Sequence, residues 1–236
     1  MDGIFTLCFI EFPAVSVIMS LKGCDTMTDI CVFDLDGTLV DSMQRYAAGI
    51  LSVLDDEGIP YTPDLIGVLT PLGYTKSAEL YQTMGVPGTV EDIVRRIEQK
   101  LVEQYANHIR LKDGVDAYLR KRKAEGAKLY VLTASPHIVT DICLQHNDVY
   151  DLFDAVWSVE DYGIAKGDVR VYEAVAQRIG CTTGDISFFD DNITALSTGK
   201  KAGCYTIAVY DRHSEEAFAA LSAHGDLAIR SFTDLL

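Results

Sequence analysis

The stretch Ile30-Cys31-Val32-Phe33-Asp34-Leu35-Asp36-Gly37-Thr38-Leu39-Val40-Asp41-Ser42 decides how the rest of the chain is read. Its first four residues are apolar and include the β-branched Ile30 and Val32. That pattern predicts a buried strand, because a parallel strand covered on both faces is apolar throughout. The strand runs into two acids separated by one residue, and then a glycine. Residues i and i+2 of a strand share a face, but leaving the strand at Gly37 frees the two carboxylates for different tasks. An acidic turn after a strand is common; the full ten-residue string from Phe33 to Ser42 is far more specific.

Outward from this strand, apolar β-branched runs alternate with helical patterns. Leu129–Leu132, Ala155–Trp157, Ile186–Phe189 and Tyr205–Val209 read as further buried strands. Asp113–Glu125 reads as a helix closed by Gly126, and Asp168–Ile179 as one closed by Gly180. Pro136–His146 reads as a helix with Ser135 as cap and proline at its first position. Such alternation predicts an α/β fold: a doubly wound, Rossmann-like parallel sheet. Residues 42–111 interrupt it. They contain no convincing strand, and the best helix, Thr89–Ile109, aligns Val90, Ile93, Val94, Ile97, Leu101, Val102, Tyr105 and Ile109 on one stripe. The stripe is most simply a core face. We therefore expect a helical cap over 42–111, inserted into a catalytic core formed by 27–41 and 112–236. The insert leaves from the carboxyl end of a strand, where α/β sheets place ligands.

Three more strand ends carry chemistry. Val131-Leu132-Thr133-Ala134-Ser135-Pro136 brings a hydroxyl to a helix N-terminus, whose free N–H groups attract anions; Thr133 and Ser135 also read as plain caps. Ile164-Ala165-Lys166-Gly167-Asp168 holds a lysine in a loop, which by itself is usually only solvated. Phe188-Phe189-Asp190-Asp191-Asn192 ends the most apolar strand in two adjacent acids, which repel each other unless a cation or proton lies between them. All four segments end strands on one edge of one sheet, so their side chains can converge.

In that order, the four segments strongly resemble the haloacid dehalogenase-like superfamily, over residues 29 to about 210. A helical insert after the first motif is similar to the branch of phosphoglycolate phosphatases, sugar phosphatases and β-phosphoglucomutases. The resemblance implies that Asp34 attacks phosphorus and forms an aspartyl-phosphate. Asp36 would protonate the departing alcohol and then activate water. Thr133 and Lys166 would hold the phosphoryl oxygens, with Lys166 also offsetting repulsion between Asp34 and the incoming anion. Mg²⁺ would be held by the Asp34 carboxylate, the Asp36 backbone carbonyl and the pair Asp190 and Asp191, since hard oxygen ligands suit this ion. Asp191 falls on the family's metal-binding acid, with Asp190 direct or through water. One departure is that a further acid seen four residues on in many relatives is Ala195 here. Gly37 and Ala134 are candidate substrate-binding positions. Leu72-Gly73-Tyr74-Thr75-Lys76 is a candidate substrate-reading loop in which Lys76 meets a second anionic group.

Composition limits the partners. Thirty-five acidic and twenty basic side chains give a net charge of −15, which repels nucleic-acid backbones and anionic membranes. A phosphorylated metabolite would be repelled too, so its site must be locally positive. Six scattered cysteines form no CxxC pair, which points to core packing and a reducing cytoplasm. Residues 1–26 read as a tail outside the fold: Glu11 and Pro13 interrupt the apolar run from Ile4 to Ile10, and no basic residue precedes it. Met19 and Met27 are alternative starts. Asn192-Ile193-Thr194 matches a glycosylation acceptor but falls in the acidic motif, and His137 reads as a helix-surface residue. No glycine-rich nucleotide loop is present. The sequence therefore predicts a Mg²⁺-dependent phosphatase of a small phosphorylated metabolite, with a phosphomutase as the nearest alternative. A dehalogenase needs neither metal nor Asp36. A receiver-type signalling module would place its acidic pair first and its lysine last, the reverse of the order here.

Overall fold

The structure, a computed structural model, describes residues 27–70 and 72–236; the expectation for residues 1–26 lies outside them. Strands β1 (Ile30–Phe33), β2 (Lys128–Thr133), β3 (Ala155–Ser158), β4 (Ile186–Asp190), β5 (Tyr205–Val209) and β6 (Leu227–Ile229) form one sheet in the order β3-β2-β1-β4-β5-β6. Every neighbouring pair is parallel. Five of these strands are the apolar runs read from the sequence. The sixth was not legible there: three residues are too few to show a period, and β6 is recognisable only by its pairing with β5.

Alternate residues of the strands feed two apolar layers. Cys31, Phe33, Leu129, Val131, Phe189 and Ile207 pack on one face. Val32, Tyr130, Leu132, Trp157 and Phe188 pack on the other. Helices α5 (Val115–Ala124), α6 (His137–His146), α7 (Val169–Ile179), α8 (Ile193–Ala202) and α9 (Glu215–His224) connect the strands. Asp168 caps α7 through the backbone N–H of Arg170, and Gly180 ends it in the left-handed conformation. The fold is thus the doubly wound α/β sheet that the alternation predicts.

Between β1 and α5 the described residues form four more helices: α1 (Met43–Asp56), α2 (Leu65–Leu69), α3 (Gly73–Met84) and α4 (Val90–Asn107). Thr89 and Asp92 form a capping box at the start of α4. Its stripe is buried as expected, with Ile93, Ile97, Leu101, Tyr105 and Ile109 fully covered. These residues join the same apolar cluster as Phe33 and Val131, because α4 packs both on α1 and α3 and on the core helix α6. The inserted helices are therefore welded to the core along α4.

Two local expectations change. The stretch Leu72–Lys76 is the first turn of α3 rather than a loop, since burial of Ala78 and Tyr81 draws the segment into a helix from Gly73 onward. At α6 the cap position is Pro136, and Ser135 makes no capping bond. Its hydroxyl donates to Asp36, a bond strengthened by the charge of the carboxylate.

Candidate active site

Strand register sets the site. Phe33 pairs with Val131 on one side and with Phe189 on the other, and the backbone N–H of Asp34 donates to Phe189 O at 2.9 Å. Asp34 and Asp190 therefore leave neighbouring strands at the same level, and Thr133 follows one residue further along β2. Beneath them the rings of Phe33 and Phe189, each one residue before an acid, stack with centroids 4.5 Å apart. Such a pair adds about 0.5–1.5 kcal/mol beyond its buried area, and here it fixes the spacing of the two strand ends.

The carboxylates of Asp34, Asp190 and Asp191 converge, each offering an oxygen within 4.8 Å of the others. Lys166 reaches in from the loop before α7. Its ammonium donates to Asp34 and, at 3.0 Å, to Asp190. Burial opposes the lysine's charge, but Asp190 and Asp34 together outweigh it and raise its pKa above the ordinary value. The Asp34 carboxyl is raised to about 7, chiefly by burial, with Lys166 pulling it down and the charges of Asp190 and Asp36 adding to the rise. Burial, followed by the charges of Asp190, Asp34 and Asp211, holds Asp191 well above the usual carboxylate range, against the pull of Lys112. One lysine thus faces three crowded carboxylates. A hard divalent cation fits that donor set, because it would offset the repulsion that otherwise favours protonation.

The acids are held from behind. Thr38 Oγ1 donates to Asp191 Oδ1 at 3.0 Å, and Asn192 N–H donates to Asp190 Oδ1 at 2.8 Å. The Asn192 side chain caps α8 by accepting from Thr194 and Ala195 N–H, so its amide serves the helix. Gly37 lies under Asp191. A Cβ at Gly37 would fall 2.4 Å from Asp191 Oδ2, and its φ of +79° is one that other residues rarely adopt. Lys112 donates to the Gly37 carbonyl, to Tyr210 O at 2.6 Å and to Asp211 Oδ2 at 3.1 Å. Gly37→Ala is therefore expected to displace Asp191 and weaken divalent-cation binding at the acids about ten- to hundredfold, the usual range when support behind a ligand is lost. Calorimetric Mg²⁺ titration of the purified variant checks this.

Asp36 turns away from the three acids. Its Oδ1 accepts from Tyr105 Oη and its Oδ2 from Ser135 Oγ, both at 2.6 Å. Burial, then the charge of Asp36, raises the Tyr105 phenol well above its ordinary pKa, so it remains a donor. Tyr172 Oη lies 3.0 Å from Lys166 O and 2.8 Å from Ala195 O, tying the lysine loop to α8.

Two cavities meet at Asp36. One, of about 380 Å³, is lined by Asp34, Thr133, Lys166, Asp190 and Asp191 among others. The second, of about 290 Å³, lies toward the inserted helices and includes Met43, Tyr46, Gly73 and Tyr74. Asp36, Met43, Thr70 and Ala134 line both. Of the residues read from the sequence, Asp34, Asp36, Thr133, Ala134, Lys166, Asp190 and Asp191 come together here. Gly37 supports Asp191 from behind and lines neither cavity. Lys76 is exposed on α3 and lines neither cavity. His137 sits on the surface between Asp141 and Asp161. The sequence reading missed Thr38, Lys112, Ser135 as a partner of Asp36, Tyr172 and the polar role of Tyr105. For Tyr105 the one available signal was a hydroxyl on an otherwise apolar stripe.

Fold and site together define an α/β enzyme whose chemistry is gathered at the carboxyl edge of a parallel sheet. The family model for haloacid dehalogenase-like hydrolases matches residues 31–209, and the chain belongs to that family. It is 29% identical over 228 residues to a phosphoglycolate phosphatase of Salmonella paratyphi A, covering 86% of this chain and 89% of the relative. It is 24% identical over 176 residues to a phosphorylated carbohydrates phosphatase of Thermotoga maritima, covering 73% and 80%. Among solved structures, CbbY from Rhodobacter sphaeroides in complex with phosphate superposes with a TM-score of 0.73 at 20% identity, covering 89% of this chain and 96% of that one. The β-phosphoglucomutase of Clostridium difficile gives 0.69 at 15% identity, covering 89% and 94%. These likenesses show a shared fold. No helix among the described residues is long and apolar enough to cross a membrane.

Proposed function

We propose that this hydrolase is a Mg²⁺-dependent phosphatase that removes phosphate from a small phosphorylated metabolite through an aspartyl-phosphate on Asp34. The observation that carries the reading is the convergence of Asp34, Asp190 and Asp191 within 4.8 Å, with Lys166 against two of them and Asp36 held apart on its own donors. Asp34, Asp190, Asp191 and the Asp36 backbone carbonyl would hold the ion. When bound, Mg²⁺ neutralises charge on the carboxylates and on the phosphoryl oxygens.

An Asp34 oxygen forms a bond to phosphorus as the ester P–O bond breaks, and Asp36 gives its proton to the departing alkoxide. Thr133 and Lys166 hold the phosphoryl oxygens during this displacement. Asp36, now ionised, takes a proton from the water that attacks the aspartyl-phosphate. Inorganic phosphate leaves and Asp34 is restored. The cavity beside Tyr46 and Tyr74 opens on Asp36, and its size suits the alcohol half of a small metabolite.

Phosphate release from a panel of small phosphomonoesters, with Mg²⁺ and with chelator, tests the reading. Chelator-sensitive release is expected, and its ranking across the panel identifies the preferred leaving group. Absence of release, with transfer of phosphate between positions of a sugar phosphate, would overturn hydrolysis in favour of a mutase.

A further inference from the structure

We infer that Tyr105 of the inserted helical unit is a positioning residue that aligns Asp36 for proton transfer, so that the acid–base group is assembled from both units of the fold. The inference rests on the role proposed for Asp36. Its observation is the pair of 2.6 Å hydrogen bonds, one to each oxygen of the Asp36 carboxylate. One donor, Ser135, stands before α6 in the core. The other, Tyr105, stands in the last turns of α4, inside the insert. A single bond leaves a carboxylate free to turn about Cβ–Cγ; two bonds, one per oxygen and from two different segments, fix its plane. Each oxygen keeps a second lone pair, which leaves room for the proton it must carry.

Packing alone does not require a hydroxyl at this position. Tyr105 is fully buried on the apolar stripe of α4, where phenylalanine or leucine would fill the same role. A buried hydroxyl without a partner is costly, and at this position Asp36 is the partner that receives it. Because α4 also packs on α6, Tyr105 and Ser135 approach Asp36 at a set spacing. Any movement of α4 relative to α6 would lengthen one of the two bonds and turn the carboxylate.

In the displacement, Tyr105 moves no proton. Asp36 supplies the proton that converts the departing alkoxide into an alcohol, while Asp34 makes the new bond to phosphorus. An alkyl leaving group depends on that proton; the weakly basic para-nitrophenolate departs without it. Turning Asp36 out of line therefore penalises alkyl esters selectively in kcat/KM, which reports only steps up to formation of the aspartyl-phosphate.

The test measures kcat/KM of wild type, Tyr105→Phe and Ser135→Ala with glycerol phosphate and with para-nitrophenyl phosphate, alongside thermal melting. Tyr105→Phe keeps the ring and its packing. Its kcat/KM for glycerol phosphate is expected to fall about tenfold more than that for para-nitrophenyl phosphate, a fraction of what a general acid contributes. Ser135→Ala is expected to shift the ratio in the same direction. An unchanged ratio in Tyr105→Phe, whether both rates fall together or neither does, overturns the inference and leaves the phosphatase reading standing. If wild type hydrolyses neither ester, the phosphatase reading falls and this inference falls with it.

Discussion

Asp34→Asn is expected to lower kcat/KM for every phosphomonoester by about ten-thousandfold or more, the scale of loss when an enzyme's nucleophile is removed. Asparagine occupies nearly the same volume and its amide oxygen can still accept from Lys166, so the fold should survive. What disappears is the anionic oxygen that forms the bond to phosphorus. Rapid-quench labelling supplies a second measurement: wild type should carry substrate phosphate on the chain during turnover, and the variant should carry none. Substantial turnover by the purified variant would exclude the covalent route. The stacked rings of Phe33 and Phe189 sit on the far side of the strand ends, which is why an isosteric change at Asp34 should leave thermal melting close to wild type.

The second large effect is expected at Lys166. Its ammonium is the cation bonded to both Asp34 and Asp190, and it is among the residues lining the cavity of the three acids. Lys166→Ala should lower kcat/KM about a hundredfold or more, as when one charge-stabilising donor is removed. Two causes act together. The phosphoryl oxygens lose a donor, and the carboxylate cluster loses the charge that lets Asp34 face an incoming dianion. The Mg²⁺ dependence should steepen in the variant, because the ion is left as the main counter-charge to the acids. A wild-type rate with wild-type Mg²⁺ dependence would remove Lys166 from the proposed chemistry.

The two proposals concern different groups, and the inference at Tyr105 can fail while the phosphatase reading stands. Loss of Asp34 or Lys166 is expected to strike all esters alike, since each is proposed to act on the phosphoryl group. Loss of the Tyr105 hydroxyl is expected to discriminate between leaving groups, since it is proposed to act through Asp36. A measured ratio of rates therefore separates damage to phosphoryl binding from misalignment of the acid.

Much of the architecture was legible without coordinates. Parallel strands buried on both faces must be apolar along their length, and this made β1 to β5 visible as short runs between helical patterns. The acids, Thr133 and Lys166 were legible because each follows such a run or its loop, and a doubly wound sheet brings strand ends to one edge. β6 was not legible, because three residues carry no period. Lys76 was a reasonable candidate while Leu72–Lys76 read as a loop; once Ala78 and Tyr81 draw that stretch into α3, the lysine is carried to the surface.

What the sequence determined by itself was therefore five of the six strands, the insertion point and the identity of the converging acids, because local pattern and chain order are sufficient for these. Only the tertiary structure decided how the acids are held. The bond from Tyr105 to Asp36 spans 69 residues, and that from Ser135 to Asp36 spans 99. Lys112 reaches Asp211 across 99 residues, and Gly37, after β1, meets Asp191, after β4. No periodicity encodes such pairs: a hydroxyl on an apolar stripe or a lysine after a turn acquires its partner only when distant segments close on one another.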